Sequence, residues 1–220
     1  MSRHRTVSEL VWPTDPLDTD LPVAWARGVA VQVLGWSWQA YDELARDIAT
    51  VDLTQPLEQL ERNLTELHFY RIQRLWAKDT DGFCSVQPGH EMPELLSRSS
   101  AAAKPPAYDL GFVHTEQPLW KWPIEAKLLP GPAALAEYLK DVRGKFETGI
   151  AAPVVGEGGM IGYLLKGKHE LVLDNLAKEL AQELAVLSEF STRPHRISQH
   201  VRAGKPTLRL HHMIMVMASN

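Results

Sequence analysis

Three residues in the middle of the chain have the types and the spacing that metal-assisted hydrolysis needs: Asp109, Glu125 and Lys127. Glu125 and Lys127 lie two residues apart in an apolar run, so on a strand their side chains share one face. Two carboxylates held close together repel each other unless a cation lies between them. Their oxygens are ligands that Mg²⁺ and Mn²⁺ prefer, and a neighbouring lysine can orient a water molecule or neutralise charge on a phosphate.

Two strand-like runs, 108–114 and 119–129, must position these residues. The four residues between the runs predict an antiparallel hairpin that brings Asp109 and Glu125 to the same end. Aspartate is depleted in strands, so Asp109 at a strand start indicates a specific role or a local turn. Pro123 predicts that the second strand is irregular near its middle or lies at a sheet edge.

The periodicity of apolar residues predicts an α/β fold with a mixed sheet. The other predicted elements are a strand at 29–34 and helices at 38–50, 54–76 and 133–146, followed by a strand at 158–165, a helix at 171–187 and a strand at 207–217. Residues 85–106 are rich in Ser, Ala and Pro, which predicts a loop. We expect residues 1–53 to form an arm with a short strand and a helix packed on the core, and residues 54–220 to form the main domain.

The motifs and the order of elements resemble the PD-(D/E)XK nuclease superfamily over about residues 57–166. The resemblance is carried by Pro105-Pro-Ala-Tyr-Asp109 and by Trp122-Pro-Ile-Glu-Ala-Lys127, followed by a helix and the apolar strand Gly158-Gly-Met-Ile-Gly-Tyr-Leu-Leu165. In the first motif, Pro-Ala-Tyr-Asp stands where the superfamily has Pro-Asp. The resemblance implies a restriction-endonuclease-like αβββαβ core, with a mixed central sheet flanked by helices.

The resemblance also implies a metal-dependent nuclease that hydrolyses phosphodiester bonds, with DNA as the expected substrate. By analogy it suggests a role in restriction or anti-phage defence. Lys127 would position the attacking water. The residues that would bind Mg²⁺ or Mn²⁺ are Asp109, Glu125 and the backbone carbonyl of Ala126. An acid from the preceding helix often completes such a site, and the candidates are Glu61, which we prefer, and its alternatives Glu58 and Glu66.

The charge distribution restrains the nucleic-acid hypothesis without excluding it. The formal net charge is -4, but the last thirty residues carry five Lys or Arg and no Asp or Glu. This segment is expected to contact phosphate, to form a solvated face, or to balance the acidic first 66 residues. The residues assigned to nucleic-acid binding are Arg193, Arg196, Arg202 and Lys205. Consecutive His211 and His212 alternate faces on a strand, so we expect structural roles for them rather than one shared metal.

The composition is typical of a cytoplasmic protein. The single cysteine forms no intrachain disulfide, which favours a reducing compartment. The longest apolar stretch is too short to span a bilayer, and the first fifteen residues lack the apolar core of a signal peptide. We therefore expect a cytoplasmic protein without a membrane partner.

Two alternatives to a DNA nuclease fit the same residues. One is a catalytically inactive nuclease-fold subunit that acts as an interaction or nucleic-acid-binding module in a larger complex. The acidic N-terminal region and the modest size motivate that alternative. The other is an RNA-directed nuclease of the same fold. Cutting both strands of a duplex often requires a symmetric pair of sites, so a homodimer is a further expectation.

Overall fold

The computed structural model describes residues 20–79, 86–100 and 103–217, which form a mixed sheet flanked by helices. The helices of these ranges, α1 to α4, are Asp20–Asp47, Leu57–Asp79, Ala136–Asp141 and His169–Leu180. The strands, β1 to β6, are Val86–Pro93, Ala107–His114, Lys121–Leu129, Glu157–Leu164, His195–His200 and Leu208–Val216. The first 19 residues of the predicted arm, and the single cysteine Cys84, lie outside the described residues.

The strand order in the sheet is β1-β2-β3-β4-β6-β5. β1, β2 and β3 form an antiparallel meander, β4 runs parallel to β3, and β6 runs parallel to β4. β5 closes the far edge and runs antiparallel to β6. The predicted α/β class, mixed sheet and β2–β3 hairpin are confirmed. Helix α3 lies between β3 and β4 in the chain, as a parallel connection requires.

Helix α1 corrects the sequence prediction for the first part of the chain. The strand expected at 29–34 and the short helix at 38–50 are one helix of 28 residues, followed by a 3₁₀ turn at Ile48–Thr50. Many of the buried residues of α1 recur at helical spacing, among them Ala26, Val29, Val33, Leu34, Ser37, Ala40 and Leu44. Packing of this face on the core overrides the strand preference of the valines.

Strand β1 corrects the loop predicted at 85–106. It lies at a sheet edge and contains two prolines and a glycine. An edge strand tolerates these residues, but they are typical of loops, so the strand is not predicted from the sequence. Strand β5, at the opposite edge, was missed because its sequence is mostly polar. Helix α4 ends at Leu180 rather than near 187, since Ala181 takes a left-handed conformation with φ of 51°.

Strand β3 lies inside the sheet, between β2 and β4, so the edge position considered for Pro123 is wrong. The missing N–H of Pro123 leaves no gap in the β4 ladder, because that ladder begins at Ile124. Strand β4 is buried along its whole length, and its glycines make room for large neighbours. A Cβ at Gly159 would lie 2.9 Å from the Trp122 ring, so the glycine allows this tryptophan to pack.

Helix α1 shares one hydrophobic core with the sheet and with α2 to α4. The described part of the predicted N-terminal arm is a helix that packs on this core, and the residues of the expected strand belong to that helix. No helix in the described ranges is both long enough and apolar enough to cross a membrane.

Candidate active site

The hairpin of β2 and β3 opens at the end where the two candidate acids lie. Its ladder ends with the pair Leu110 and Ile124, and Asp109 and Glu125 are the next residue on each strand. β3 continues to pair with β4 as far as Leu129. The end of β3 therefore keeps a partner on one side and is free for side-chain contacts on the other.

Two carboxylates occupy this open side of β3. The Ala126 N–H donates to Asp109 Oδ2 at 2.8 Å, and the Leu128 N–H donates to Glu61 Oε2 at 2.7 Å. Both N–H groups would otherwise lack a backbone partner, which is costly for a buried donor. Asp109 and Glu61 are thus fixed beside the Glu125-x-Lys127 segment by the strand itself.

The Lys127 ammonium lies among three carboxylates. Its Nζ is 3.1 Å from Asp141 Oδ2, 3.3 Å from Glu61 Oε1 and 3.9 Å from Asp109 Oδ2. It also donates to the Ala126 carbonyl at 3.0 Å. Burial alone would lower the pKa of Lys127, but the three carboxylates outweigh burial and raise this pKa. Lys127 is therefore a fixed cation at neutral pH, suited to hold an anion or a water molecule and unsuited to accept a proton.

The Glu125 side chain is fully buried. Its Oε2 lies 2.8 Å from Lys145 Nζ, which is also 3.5 Å from Asp141 Oδ2. Despite these charge contacts, neither Glu125 oxygen nor Asp141 Oδ2 has a partner with hydrogen-bond geometry among the described residues. Burial and the negative charge of Asp109 raise the pKa of Glu125 to about 8, against the opposing effect of Lys145. A further cation beside Glu125 would favour its charged form.

Asp141 and Lys145 were not singled out in the sequence. Both lie on the connection between β3 and β4, where α3 continues into a π-helical segment, Val142–Glu147. π-helical turns inside helices are rare and occur frequently at functional sites. The available signal was an acid and a lysine four residues apart on the helix that follows the Glu-x-Lys strand. We call the set Glu61, Asp109, Glu125, Lys127, Asp141 and Lys145 the acid–lysine cluster.

Two surface cavities, of about 210 and 520 Å³, meet at Asp109 and Glu91. Glu91 lies on β1 between residues that pair with Leu110 and Tyr108, so it faces the position of Asp109. Its φ of 48° is left-handed, which is uncommon for a residue other than glycine. Such strain costs on the order of 1–3 kcal/mol and is concentrated at functional sites. The acid–lysine cluster thus opens to solvent at Asp109.

Of the three helix glutamates, only Glu61 is brought to Lys127. Glu58 lines the smaller cavity without an ion pair in the described ranges, and Glu66 accepts a hydrogen bond from the Tyr70 hydroxyl at 3.1 Å. The difference follows from position, since Glu61 lies on the turn of α2 that crosses the open end of β3.

The four basic residues assigned to nucleic acid make contacts within the protein. Arg193 forms a bidentate pair with Asp42 at 2.7 and 2.6 Å, and Lys205 donates to the Gly149 carbonyl at 2.6 Å. Arg196 donates to the carbonyl of the preceding residue. Arg202 is buried and donates to the carbonyls of Phe146, Ala151, Val155 and Pro206. None of the four lines the cavities at Asp109, and their contact with nucleic acid stays a prediction.

A second buried polar group lies on β5 and β6. His211 Nε2 contacts Glu157 Oε2 at 2.7 Å and His211 Nδ1 contacts His195 Nε2 at 3.1 Å. A longer chain of contacts, each between 2.7 and 3.1 Å, links Tyr138, His212, Ser198, His200 and Glu147. We call His195, Ser198, His200, His211 and His212 the histidine network. All five side chains are buried.

Within the described ranges, no group of three or more His, Cys, Asp or Glu side chains is arranged to hold a metal ion. No protein-family model matches the chain, and neither a curated protein nor a solved structure matches it. A functional assignment therefore depends on the geometry of the acid–lysine cluster.

Proposed function

We propose that the protein is a divalent-metal-dependent nuclease that hydrolyses phosphodiester bonds, with DNA as its substrate, and that the acid–lysine cluster is its active site. One observation carries the proposal. Four carboxylates and two lysines meet at the open end of β3, beside a solvent cavity, and the innermost carboxylate, Glu125, is buried without a hydrogen bond. A buried carboxylate in that condition needs a functional explanation.

The topology supports the finer fold assignment that the sequence motifs suggest. The order α2-β1-β2-β3-α3-β4, with an antiparallel meander and with β4 parallel to β3, follows the αβββαβ order of the restriction-endonuclease-like core. Strand β1 supplies the third strand of the meander, which the sequence had concealed. Glu61, on the helix before the meander, lies where that core often adds an acid.

The residues present fit Mg²⁺ or Mn²⁺ in charge and in donor type. The four carboxylates of the cluster face two ammonium groups, and the uncompensated charge is suited to one divalent cation. Mg²⁺ commonly binds through one or two carboxylates, with water and substrate phosphate completing its shell, so a closed protein cage is not required. Asp109 and Glu125 would hold the ion, helped by the Ala126 carbonyl. When bound, it would polarise the phosphate and make a bound water more acidic.

The protein residues then have distinct tasks. Lys127, a fixed cation, would hold the attacking water or stabilise charge on the phosphate oxygens. Glu61 and Asp141 hold the Lys127 ammonium in place from two different helices. Lys145 lies 2.8 Å from Glu125 Oε2 and would balance the charge of Glu125 when this carboxyl is ionised. Glu61 and Asp109 also tie the cluster to the backbone of β3.

The test is cleavage of plasmid DNA, single-stranded DNA and single-stranded RNA by the purified protein with Mg²⁺ or Mn²⁺. We expect cleavage that Asp109→Asn lowers by at least about 100-fold, the scale of losing one group that stabilises the transition state. Lys140→Met is the control, because Lys140 is exposed on α3 and forms its ion pair within that helix, with Glu137. Cleavage by Asp109→Asn at the wild-type rate would refute the proposal. Folded wild-type protein that cuts none of these substrates would favour the inactive interaction subunit.

A further inference from the structure

The two cavities at Asp109 extend from it in different directions. The smaller one is lined by residues of α2 and by His90 of β1, and the larger one by residues 104–108. Asp109 and Glu91 line both cavities. The two cavities therefore form one groove, with the candidate active site at its middle.

Each arm of the groove carries one exposed basic residue. Arg62 of α2 lines the smaller cavity and Lys104 lines the larger one. Neither residue has an ion-pair partner in the described ranges, whereas Arg193, Arg202 and Lys205 are engaged with protein groups. Free cations on both sides of a hydrolytic centre suit the phosphates that flank a scissile bond.

An aromatic surface adjoins the smaller arm. The ring of His90, which lines that cavity, stacks on Phe69 with centroids 5.3 Å apart and planes 23° apart. Tyr70, whose ring centroid lies 5.8 Å from that of Phe69, is exposed. Stacked aromatic side chains beside a basic residue are a platform for unpaired bases, since bases within a duplex are already stacked on one another.

The middle of the groove has the opposite charge. Glu58, Glu61, Glu91 and Asp109 all line the smaller cavity. These carboxylates repel a phosphate backbone unless a divalent cation offsets them. A nucleic acid is therefore expected to bind along the groove only when such a cation is present.

We propose that this groove binds a single-stranded nucleic-acid segment across Asp109, with Arg62 and Lys104 each contacting a phosphate and His90 stacking on a base. The proposal rests on the proposed nuclease function, because it defines the substrate of the same site. It places substrate recognition on α2, β1 and the segment before β2, rather than on the basic C-terminal segment.

The experiment measures the fluorescence anisotropy of labelled twelve-residue oligothymidine and oligouridine in Ca²⁺, an oxygen-seeking cation, and in EDTA. Gels verify that the oligonucleotides stay intact. We expect binding in Ca²⁺ and little in EDTA. Arg62→Ala and Lys104→Ala should each lower the salt dependence, the slope of log K against log salt, by about 0.7, the value for one phosphate contact on a single strand. His90→Ala should weaken binding by at least about fivefold, the low end for loss of one stacked base.

Matched controls are Arg46→Ala, Lys168→Ala and His169→Ala, which change residues of the same types outside the groove. Thermal melts verify that every variant is folded. A duplex of the same length and label should compete at least about tenfold more weakly than the single strand, because its bases are already stacked. The groove proposal is overturned if Arg62→Ala and Lys104→Ala bind like their controls with unchanged salt dependence, or if the duplex competes equally well.

The two proposals fail in different ways. If the groove variants lose oligonucleotide binding as expected but the wild type cleaves nothing with Mg²⁺ or Mn²⁺, the groove stands and the nuclease function fails. If the wild type cleaves DNA and the groove variants bind and cleave like their controls, the nuclease function stands and the groove assignment fails.

Discussion

The acid–lysine cluster and the histidine network are both buried polar groups on the same sheet, but they differ in charge and in access to solvent. The network consists of five buried side chains that contact one another, although His195 Nδ1 has no hydrogen-bond partner among the described residues. The cluster consists of charged side chains, contains carboxylate oxygens without a hydrogen bond, and opens to a cavity at Asp109. The comparison teaches that burial of polar residues alone does not indicate a site. Two features set the cluster apart from the network: its lysine–carboxylate contacts, and its access to solvent at Asp109.

The protonation pattern of the network supports a structural role. If the Tyr138 hydroxyl donates to His212 Nδ1, then His212 can donate to Ser198, Ser198 to His200, and His200 to Glu147. Each residue from Tyr138 to Glu147 in this chain of contacts then has a hydrogen-bond partner, and neither of its histidines carries a net charge. Burial also lowers the pKa of His212 to about 3, which keeps the ring neutral. A buried chain that is satisfied in this way rigidifies a core.

The largest expected effect separates the two regions by activity. Lys127→Met removes one of the two cations of the cluster, the one that contacts three carboxylates, and should lower nuclease activity by about 100-fold or more. Ser198→Ala alters the histidine network and should leave the activity of each folded molecule unchanged. The measurement is the initial rate of DNA cleavage with Mn²⁺, normalised to the folded fraction. Equal losses in the two variants would remove the functional distinction between the regions.

The next largest effect is on the free energy of unfolding, and it concerns the histidine network. His212→Leu leaves Ser198 and Tyr138 with buried hydroxyl groups that lack one partner, so it should lower the free energy of unfolding by about 2–4 kcal/mol. The control is His169→Leu, at a partly exposed position, and its free energy of unfolding should differ from that of the wild type by less than about 0.5 kcal/mol. Urea denaturation measures both. A wild-type stability for His212→Leu would show that the network contributes little.

The smallest effect is a difference in pH dependence. Burial lowers the pKa of His195, His211 and His212 to about 3, while unfolded histidines titrate near 6.5, so this stabilisation is lost as pH falls below about 6.5. Burial raises the pKa of Glu125 to about 8, above its unfolded value of 4.5, so its contribution is lost progressively as pH rises from about 4.5 to about 8.

Two other buried glutamates, Glu94 and Glu157, have a pKa raised to about 7 by burial and add to the alkaline loss. We therefore expect maximal stability between about pH 4.5 and 6.5, where the two sets of groups oppose each other, measured by urea denaturation across pH 4–9 in the absence of divalent ions. Glu125→Gln should reduce the loss of stability with rising pH by up to about 1.4 kcal/mol for each pH unit between about pH 4.5 and 8, and leave the profile below about pH 4.5 unchanged. A Glu125→Gln profile identical to that of the wild type above pH 7 would contradict this assignment.

Elements that local interactions define were predictable from the sequence, whereas elements that depend on packing with distant residues were not. The β2–β3 hairpin and α2 were predictable because a short connection and a leucine repeat are local signals. Strands β1 and β5 were not, since edge strands tolerate proline, glycine and polar residues. Helix α1 was misread in part because its valines favour strands in isolation, and the face that buries them is defined only by the rest of the core.

The candidate site was likewise predictable only where local signals bring its residues together. Asp109, Glu125 and Lys127 could be proposed from sequence because strand alternation and one turn bring them together. Glu61 could be preferred from its position beside the leucine face of α2, although its bond to the Leu128 N–H depends on tertiary packing. Asp141 and Lys145 required the path of the β3–β4 connection. For Arg202, the charge count suggested a phosphate contact, but it could not reveal that this guanidinium is buried among backbone carbonyls.

The most direct test of the central claim is the anomalous diffraction of crystals of this protein soaked in Mn²⁺. The proposed function predicts a peak bound by carboxylate oxygens of Asp109 and Glu125, with no peak at the histidine network. A map without a peak at Asp109 and Glu125, with Lys145 still paired to Glu125 at a Mn²⁺ concentration that supports cleavage, would contradict it.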